Sequence, residues 1–284
     1  MEKVLKAKPI VKKIYEELTA EIDDLHKVPQ LALISVGENS AAVFYIRNII
    51  KKAEKIGIKV NHRPLESDIS QNDLHYIITQ YNENSEVDAI LIQKPLPKQI
   101  DDNMIASAIK PEKDVDGFSP INLGKLLVEV DALYPCTPSA VMTLIDYYGI
   151  ELAGKHAVLC GRSIIVGKPL LNMLLRKKEP GNATVTVCHS KTKNLSSFTS
   201  QADILITALG KPHLIKGQDV KEGAIIIDVG TNEIIENGNT KYVGDVDYDD
   251  CFDKATAITP VPGGIGSITT AMLMTNIVKA AKSV

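Results

Sequence analysis

The stretch VLCGRSIIVGKPL (158–170) carries the residues whose types and spacing most directly imply chemistry. An apolar run ends at Gly161, and a helical pattern starts within a few residues. A glycine turn at a strand–helix junction lets backbone N–H groups and the helix N-terminus approach a pyrophosphate. The spacing of Gly161, Ser163 and Gly167 departs from G-x-G-x-x-G, so the turn alone also fits an ordinary strand–helix connection. The next strand, TVTVCHSKT, sharpens the reading. In dinucleotide-binding sheets the second strand usually ends in an acid that holds the ribose 2'-hydroxyl. Here it ends in His189, Ser190 and Lys191, and Arg162 projects from the turn nearby. An acid would repel a 2'-phosphate, whereas Arg162, Ser190 and Lys191 would bind it, so the pattern favours NADP over NAD. A solvated loop is the competing reading, and it suits Lys191 better than Arg162 or Ser190.

A second stretch, AAVFYIRNIIKKAEKIGI (41–58), reads as an amphipathic helix that ends at Gly57. Tyr45 and Ile49 are four residues apart and share a face. An isoleucine is out of place if that face lines a polar site. Lys52 returns to nearly the same face but lies about 10 Å further along the axis, and Lys51 points elsewhere.

Alternating elements must position these groups. Residues 9–27 have helical periodicity, LALISVG (31–37) is a strand stopped by Gly37, and KVNHRPL (59–65) is another. SQNDLHYIITQYNE (70–83) is a helix capped by Ser70, and VDAILIQKPLP (87–97) is a strand running into a proline-rich turn. From about residue 140, a helix, the glycine-turn unit and the apolar runs ATVTVCHSKT, ADILITALG and AIIIDVG follow, and GSITTAMLMTNIVKAAKSV closes the chain as a helix. Continuous apolar strands between helices imply a parallel sheet covered on both faces.

Composition excludes other classes. A 284-residue chain that is 44% hydrophobic and 24% charged can bury a large core, so extensive disorder is not expected. The net charge of -3, with both signs interspersed, offers no electrostatic footprint for nucleic acid or an anionic membrane. Cys136, Cys160, Cys188 and Cys251 form no metal spacing and read as free thiols, and the scattered histidines suggest no metal site. The N-terminus lacks a signal-peptide core and no run is long enough to span a membrane, so a cytoplasmic protein is expected.

Taken together, GRSIIVGKP, PEKDVDGFSPIN, PCTPSAV, CHSKT and ITPVPGGIG resemble the methylenetetrahydrofolate dehydrogenase/cyclohydrolase family in its compact bacterial form. The resemblance implies an α/β fold of two domains: residues 1–138 holding the folate, completed by a returning C-terminal helix (266–284), and a Rossmann domain over 139–265 holding the nicotinamide cofactor, with a cleft between them. It implies NADP as cofactor, tetrahydrofolate derivatives as substrates, one-carbon metabolism as the setting and a homodimer as the assembly. The reaction implied is oxidation of 5,10-methylenetetrahydrofolate to the methenyl form, followed in bifunctional members by hydrolysis to 10-formyltetrahydrofolate. Residue by residue, Asp116 matches the folate-binding aspartate, Gln93 the active-site glutamine and Tyr45 the tyrosine beside the folate ring. Pro262, Gly263 and Gly264 match the loop lining the folate pocket. Gly161, Arg162, Ser163, Gly167 and Ser190 fall in the cofactor-binding motifs. Thr231 stands where the family usually has an apolar residue touching the cofactor. Asp114 reads as a loop aspartate capping a turn.

The departures cluster. The family's Y-x-x-x-K places on this helix face a lysine credited with the hydrolytic step, and Ile49 stands in its place. Ala42 replaces a serine, Lys94 an apolar residue and Ser267 a proline. Lys94 is the one credible substitute for the lysine; a solvated surface role competes. Ile49 is expected to face the folate, giving a dehydrogenase whose cyclohydrolase step is doubtful. A fully bifunctional enzyme using Lys94 and a catalytically silent folate- or NADP-binding protein are the alternatives.

Overall fold

The computed structural model describes residues 2–37, 40–236 and 238–283, without the side chains of residues 40–42 and 44, so the Ala42 side chain lies outside what is described. The chain divides into two compact units, Lys13–Cys136 with Thr270–Val284, and Met1–Lys12 with Thr137–Thr269.

The first unit contains most of α1 (Ala7–Asp23), then β1 (Gln30–Val36), α2 (Ser40–Lys55), β2 (Lys59–Leu65), α3 (Gln71–Glu83), β3 (Ala89–Ile92), α4 (Asp102–Ala108) and α5 (Pro120–Leu127). Its three strands are parallel in the order β2-β1-β3. Strands β1 and β3 are almost wholly buried, as continuous apolar runs require, whereas β2 is largely exposed. Pro64 lacks an N–H and so suits that edge position. Ala32, Ile34 and Val36 pack one face of the sheet against Leu74, Ile77 and Ile78 of α3. Ser70 caps α3 by accepting the Asp73 N–H at 3.1 Å.

The second unit runs through α6 (Cys136–Tyr147), β4 (His156–Cys160), α7 (Gly167–Leu175), β5 (Thr184–Cys188), α8 (Ser196–Thr199), β6 (Ile204–Thr207), β7 (Ile225–Asp228), β8 (Asn232–Glu236), β9 (Asn239–Val243), α9 (Tyr248–Phe252), β10 (Ala257–Ile258) and the start of α10 (Ile265–Lys282). Five parallel strands lie in the order β10-β7-β6-β4-β5, and β8 and β9 form an antiparallel hairpin. The first residues join this unit because Leu5 N–H donates to the Ile258 carbonyl at 2.9 Å and Ile258 N–H to the Lys3 carbonyl at 2.8 Å. All four cysteines are free and buried. Among the described residues no helix is long and apolar enough to cross a membrane.

Several elements differ from the sequence reading. The first helix ends at Asp23, not near residue 27, and the strand expected over 87–97 is only Ala89–Ile92. Beyond Ile92, Pro95 and Pro97 cannot donate ladder hydrogen bonds. Helices α4 and α5 and the β8–β9 hairpin are additions to the sequence reading. Their signals were present but short: Asp101 and Ser119 are N-caps, and an Asn-Gly dipeptide separates the two hairpin strands in the sequence.

Asn276 ties α10 into the first unit. Its buried amide donates to the carbonyls of Val115 at 2.8 Å and Tyr134 at 2.9 Å. Asn276→Ala leaves both carbonyls without this donor and should cost about 2 kcal/mol or more of stability. Urea unfolding of the two proteins measures it, and an unchanged midpoint would contradict the anchoring role.

Candidate functional site

Asp114 and Asp116 sit two residues apart and meet opposite fates. Asp114 is buried, and its carboxylate accepts the N–H groups of Gly117 at 3.1 Å and Ser119 at 2.7 Å and the Asn122 amide at 3.0 Å. It closes the turn, and Gly117 completes it at φ 73°, where an added Cβ would lie 2.5 Å from the Tyr134 carbonyl carbon. Asp116 is half-buried and makes no hydrogen bond or ion pair among the described residues. Burial first, and the Asp114 charge second, push its carboxyl up to about 7, against a lowering contribution from the Lys94 ammonium.

Tyr45 on α2 converges on the same place. Its ring is 36% exposed, while its hydroxyl reaches inward to the buried side chain of Thr270 on α10. Burial, then the charge of Asp116, then Cys136, hold its hydroxyl far above the ordinary tyrosine range. Cys136 itself is buried, and its thiol donates to the Val115 carbonyl at 3.3 Å. Thr270 carries no motif that would single it out in the sequence, whereas Cys136 lies in PCTPSAV, one of the motifs of the family resemblance.

Ile49 lies one turn beyond Tyr45 and has no exposed surface. The sequence reading points Ile49 at the folate; the structure packs it in the core, where an apolar side chain is best accommodated. Further along, burial lowers the pKa of Lys52.

Gln93 follows β3, and its amide donates to the Lys94 carbonyl at 2.7 Å. The Lys94 ammonium pairs with Asp102 at 2.9 Å and lies 5.8 Å from the centre of the Phe118 ring. Lys94 is therefore paired, yet close enough to Asp116 to influence its ionisation.

In the other unit, the Gly161 turn leaves no room for a side chain. A Cβ on Gly161 would meet the Ala208 carbonyl oxygen at 2.6 Å, and one on Gly167 would meet the Gly161 carbonyl oxygen at 2.3 Å. The strand end and the start of α7 thus pack backbone to backbone, the close approach that a pyrophosphate cradle needs. Ser163 braces the turn, its hydroxyl accepting the Val166 N–H at 3.1 Å. Arg162 and Ser190, both exposed, line one cavity of about 320 Å³ with Gly161, His189 and Thr192. Lys211, overlooked in the sequence, adds a second cation there.

Two further aspartates shape that wall. Asp245 accepts the N–H groups of Leu209, Gly210 and Lys211 at 2.5, 3.3 and 2.9 Å and the Asn232 amide at 2.9 Å. Asp228 accepts from Thr207, Gly230, Asp245 and Val246, and burial pushes its carboxyl up to about 6. Thr231 is exposed and follows Gly230 directly. Pro262 and Gly263 are exposed and Gly264 buried, all three in this unit, with Gly263 at φ 105°.

A parallel sheet with a glycine turn at the end of β4, in one chain with a second parallel α/β unit, defines a two-unit protein of the nucleotide-binding α/β class. The chain belongs to the tetrahydrofolate dehydrogenase/cyclohydrolase family: residues 5–116 match its catalytic domain and residues 135–284 its NAD(P)-binding domain. It is 47% identical over 283 residues to the bifunctional protein FolD of Acetivibrio thermocellus, covering 99% of this chain and 97% of that protein. Among solved structures it is similar to the bifunctional methylenetetrahydrofolate dehydrogenase/cyclohydrolase FolD of Campylobacter jejuni, with a TM-score of 0.94 and 45% identity over 99% of this chain and 98% of that one. The Trypanosoma brucei FolD, solved with NADP cofactor and inhibitor, gives a TM-score of 0.93 at 35% identity over 99% of this chain and 97% of that one.

The unpartnered Asp116 carboxylate has a consequence for the free protein. Folding raises its pKa from 3.8 to about 7, so the native state holds the proton more tightly than the unfolded chain. Its contribution to stability therefore falls as pH rises through that window. Asp116→Asn should raise Tm by several degrees at pH 8 and leave it unchanged near pH 3.5, read by scanning calorimetry. Equal gains at both pH values would contradict the assignment.

Proposed function

We propose that the protein is an NADP-dependent 5,10-methylenetetrahydrofolate dehydrogenase in which Ile49 replaces the lysine of the hydrolytic step, leaving cyclohydrolase activity weak or absent. The observation that carries the reading is Asp116, a desolvated carboxylate without a protein partner, beside the Tyr45 ring in a chain of this family. A carboxylate accepts two N–H bonds from the aminopyrimidine edge of a pteridine. Tyr45 packs against the folate's aromatic ring, Gln93 and Lys94 bound the reacting bridge, and Pro262, Gly263 and Gly264 line the folate site.

Gly161 and Gly167 admit the pyrophosphate, with Ser163 holding the turn in shape. Arg162 and Ser190 bind the 2'-phosphate, and Thr231 touches the cofactor. When bound, NADP supplies the hydride acceptor. The chain's task in that step is to position the methylene carbon, and no protein group need gain or lose a proton. Hydrolysis of the methenyl bridge does need a positioned water and proton transfers. An isoleucine offers neither, and Ile49 is sealed in the core. A cytoplasmic homodimer is the proposed location and assembly, on the family resemblance.

A second reading keeps both activities, with Lys94 as the proton carrier. It is favoured by the influence of the Lys94 ammonium on Asp116. A two-step assay separates the readings: methylene oxidation should proceed, and methenyltetrahydrofolate should accumulate and clear at the buffer rate. Hydrolysis by the unaltered protein well above the buffer rate, lost in Lys94→Ala, would establish the second reading instead. Ligand binding without any turnover would leave the silent binding protein.

Cofactor choice is tested at Arg162. Arg162→Ala should raise KM for NADP on the order of tenfold or more, the scale of a lost charge-assisted contact, with little change for NAD. Equal effects on both cofactors would remove the 2'-phosphate role.

A further inference from the structure

The first unit holds a second cavity, of about 320 Å³, on the other flank of α2. At about 100° per residue, Val43, Arg47 and Ile50 turn away from the side that carries Tyr45. They line the cavity with Ile46, with Ser35, Val36 and Gly37 at the end of β1, and with His62 and Pro64 of β2. Gln93, Lys94 and Pro95 form the remaining wall. The carboxyl ends of parallel strands are where open α/β sheets hold ligands.

The polar groups in this wall have an uneven supply of partners. Ser35 is a buried hydroxyl in a strand whose other residues from Leu31 on are apolar, and its Oγ is 3.0 Å from His62 Nε2. Partial burial lowers the His62 pKa, so the ring offers a neutral hydrogen-bonding partner and not a second cation. The Lys94 ammonium is matched by Asp102. Among the described residues, Arg47 forms no ion pair and no carboxylate lines the cavity. One uncompensated guanidinium, a Ser–His pair and six apolar side chains suit a ligand with one negative charge on a hydrocarbon body. Guanidinium and carboxylate match as a bidentate pair, and the volume is at the lower end of ligand pockets.

We propose that this cavity binds a small monocarboxylate with an apolar body, held by Arg47 and the Ser35–His62 pair, at a site separate from that of the folate. Gln93 and Lys94 form its far wall, so an occupant would touch the residues proposed to bound the reacting bridge. Binding itself does not depend on the dehydrogenase reading.

Isothermal titration of the purified chain with benzoate, in the absence of folate and NADP, tests it. Saturable binding is expected, with benzamide and inorganic phosphate giving none. Arg47→Ala should weaken benzoate about tenfold or more, and Val43→Trp, which fills the cavity from an exposed position, should abolish it. Benzoate should bind equally well when the protein is saturated with 5-formyltetrahydrofolate. Absence of saturable binding at millimolar benzoate, unchanged affinity in either variant, equal binding of benzamide or phosphate, or displacement by the folate would each overturn the proposal. Failure of the dehydrogenase assay with benzoate binding intact would overturn only the catalytic reading.

Discussion

The loop that carries Asp116 in the first unit rests on the buried carboxylate of Asp114. Taking a carboxylate out of water is costly unless hydrogen bonds replace the solvent. Three donors within eight residues do so here, from Gly117, Ser119 and Asn122. The turn is also anchored to the sheet, because Ile90 N–H donates to the Lys113 carbonyl at 2.8 Å. Closing the loop around Asp114 leaves Asp116 desolvated and unmatched. One carboxylate is saturated, and the next, two positions on, has no partner among the described residues.

The cofactor unit solves a similar problem with a linked pair. Asp228 at the end of β7 and Asp245 after β9 take up the N–H groups of three separate loop segments. Glycines permit the approach: a Cβ on Gly244 would lie 1.9 Å from an Asp228 oxygen, and one on Gly230 2.3 Å from the Asp245 carboxyl carbon. The segment from Leu209 to Lys211 is thereby held at the wall that also contains Arg162 and Ser190. Asp245 holds the backbone of the segment that carries Lys211, and Asp228 holds Asp245.

Helix α2 serves two flanks with different chemistry. One flank presents Tyr45 to Asp116 and Thr270, and the other presents Arg47 to Ser35 and His62. Ile49 has no exposed surface between them. A lysine at that position would need its ammonium to escape the core or to find a partner in it, whereas an isoleucine needs neither. Ile49 thus contributes to the packing of α2 and not to its polar flanks.

Much of this could be read from the chain itself. Apolar runs ended by glycine located β1, β4, β6 and β7, and the Ser70 cap located α3, because burial periodicity and capping are local properties. The glycine turn and the missing acid after β5 pointed to a phosphorylated dinucleotide, because charge and the lack of a Cβ act within a few residues. Other features depend on residues distant in sequence. That Asp116 lacks a partner while Asp114 is saturated, that the Tyr45 hydroxyl meets Thr270 some 225 positions later, and that Ile49 is sealed, all depend on how helices and loops pack. Lys94 shows the division most clearly. Its type and place were evident, but whether it faced solvent or a carboxylate was decided by the position of Asp102 on α4. Side-chain direction and desolvation are properties of the surroundings, and those exist only once the chain has folded.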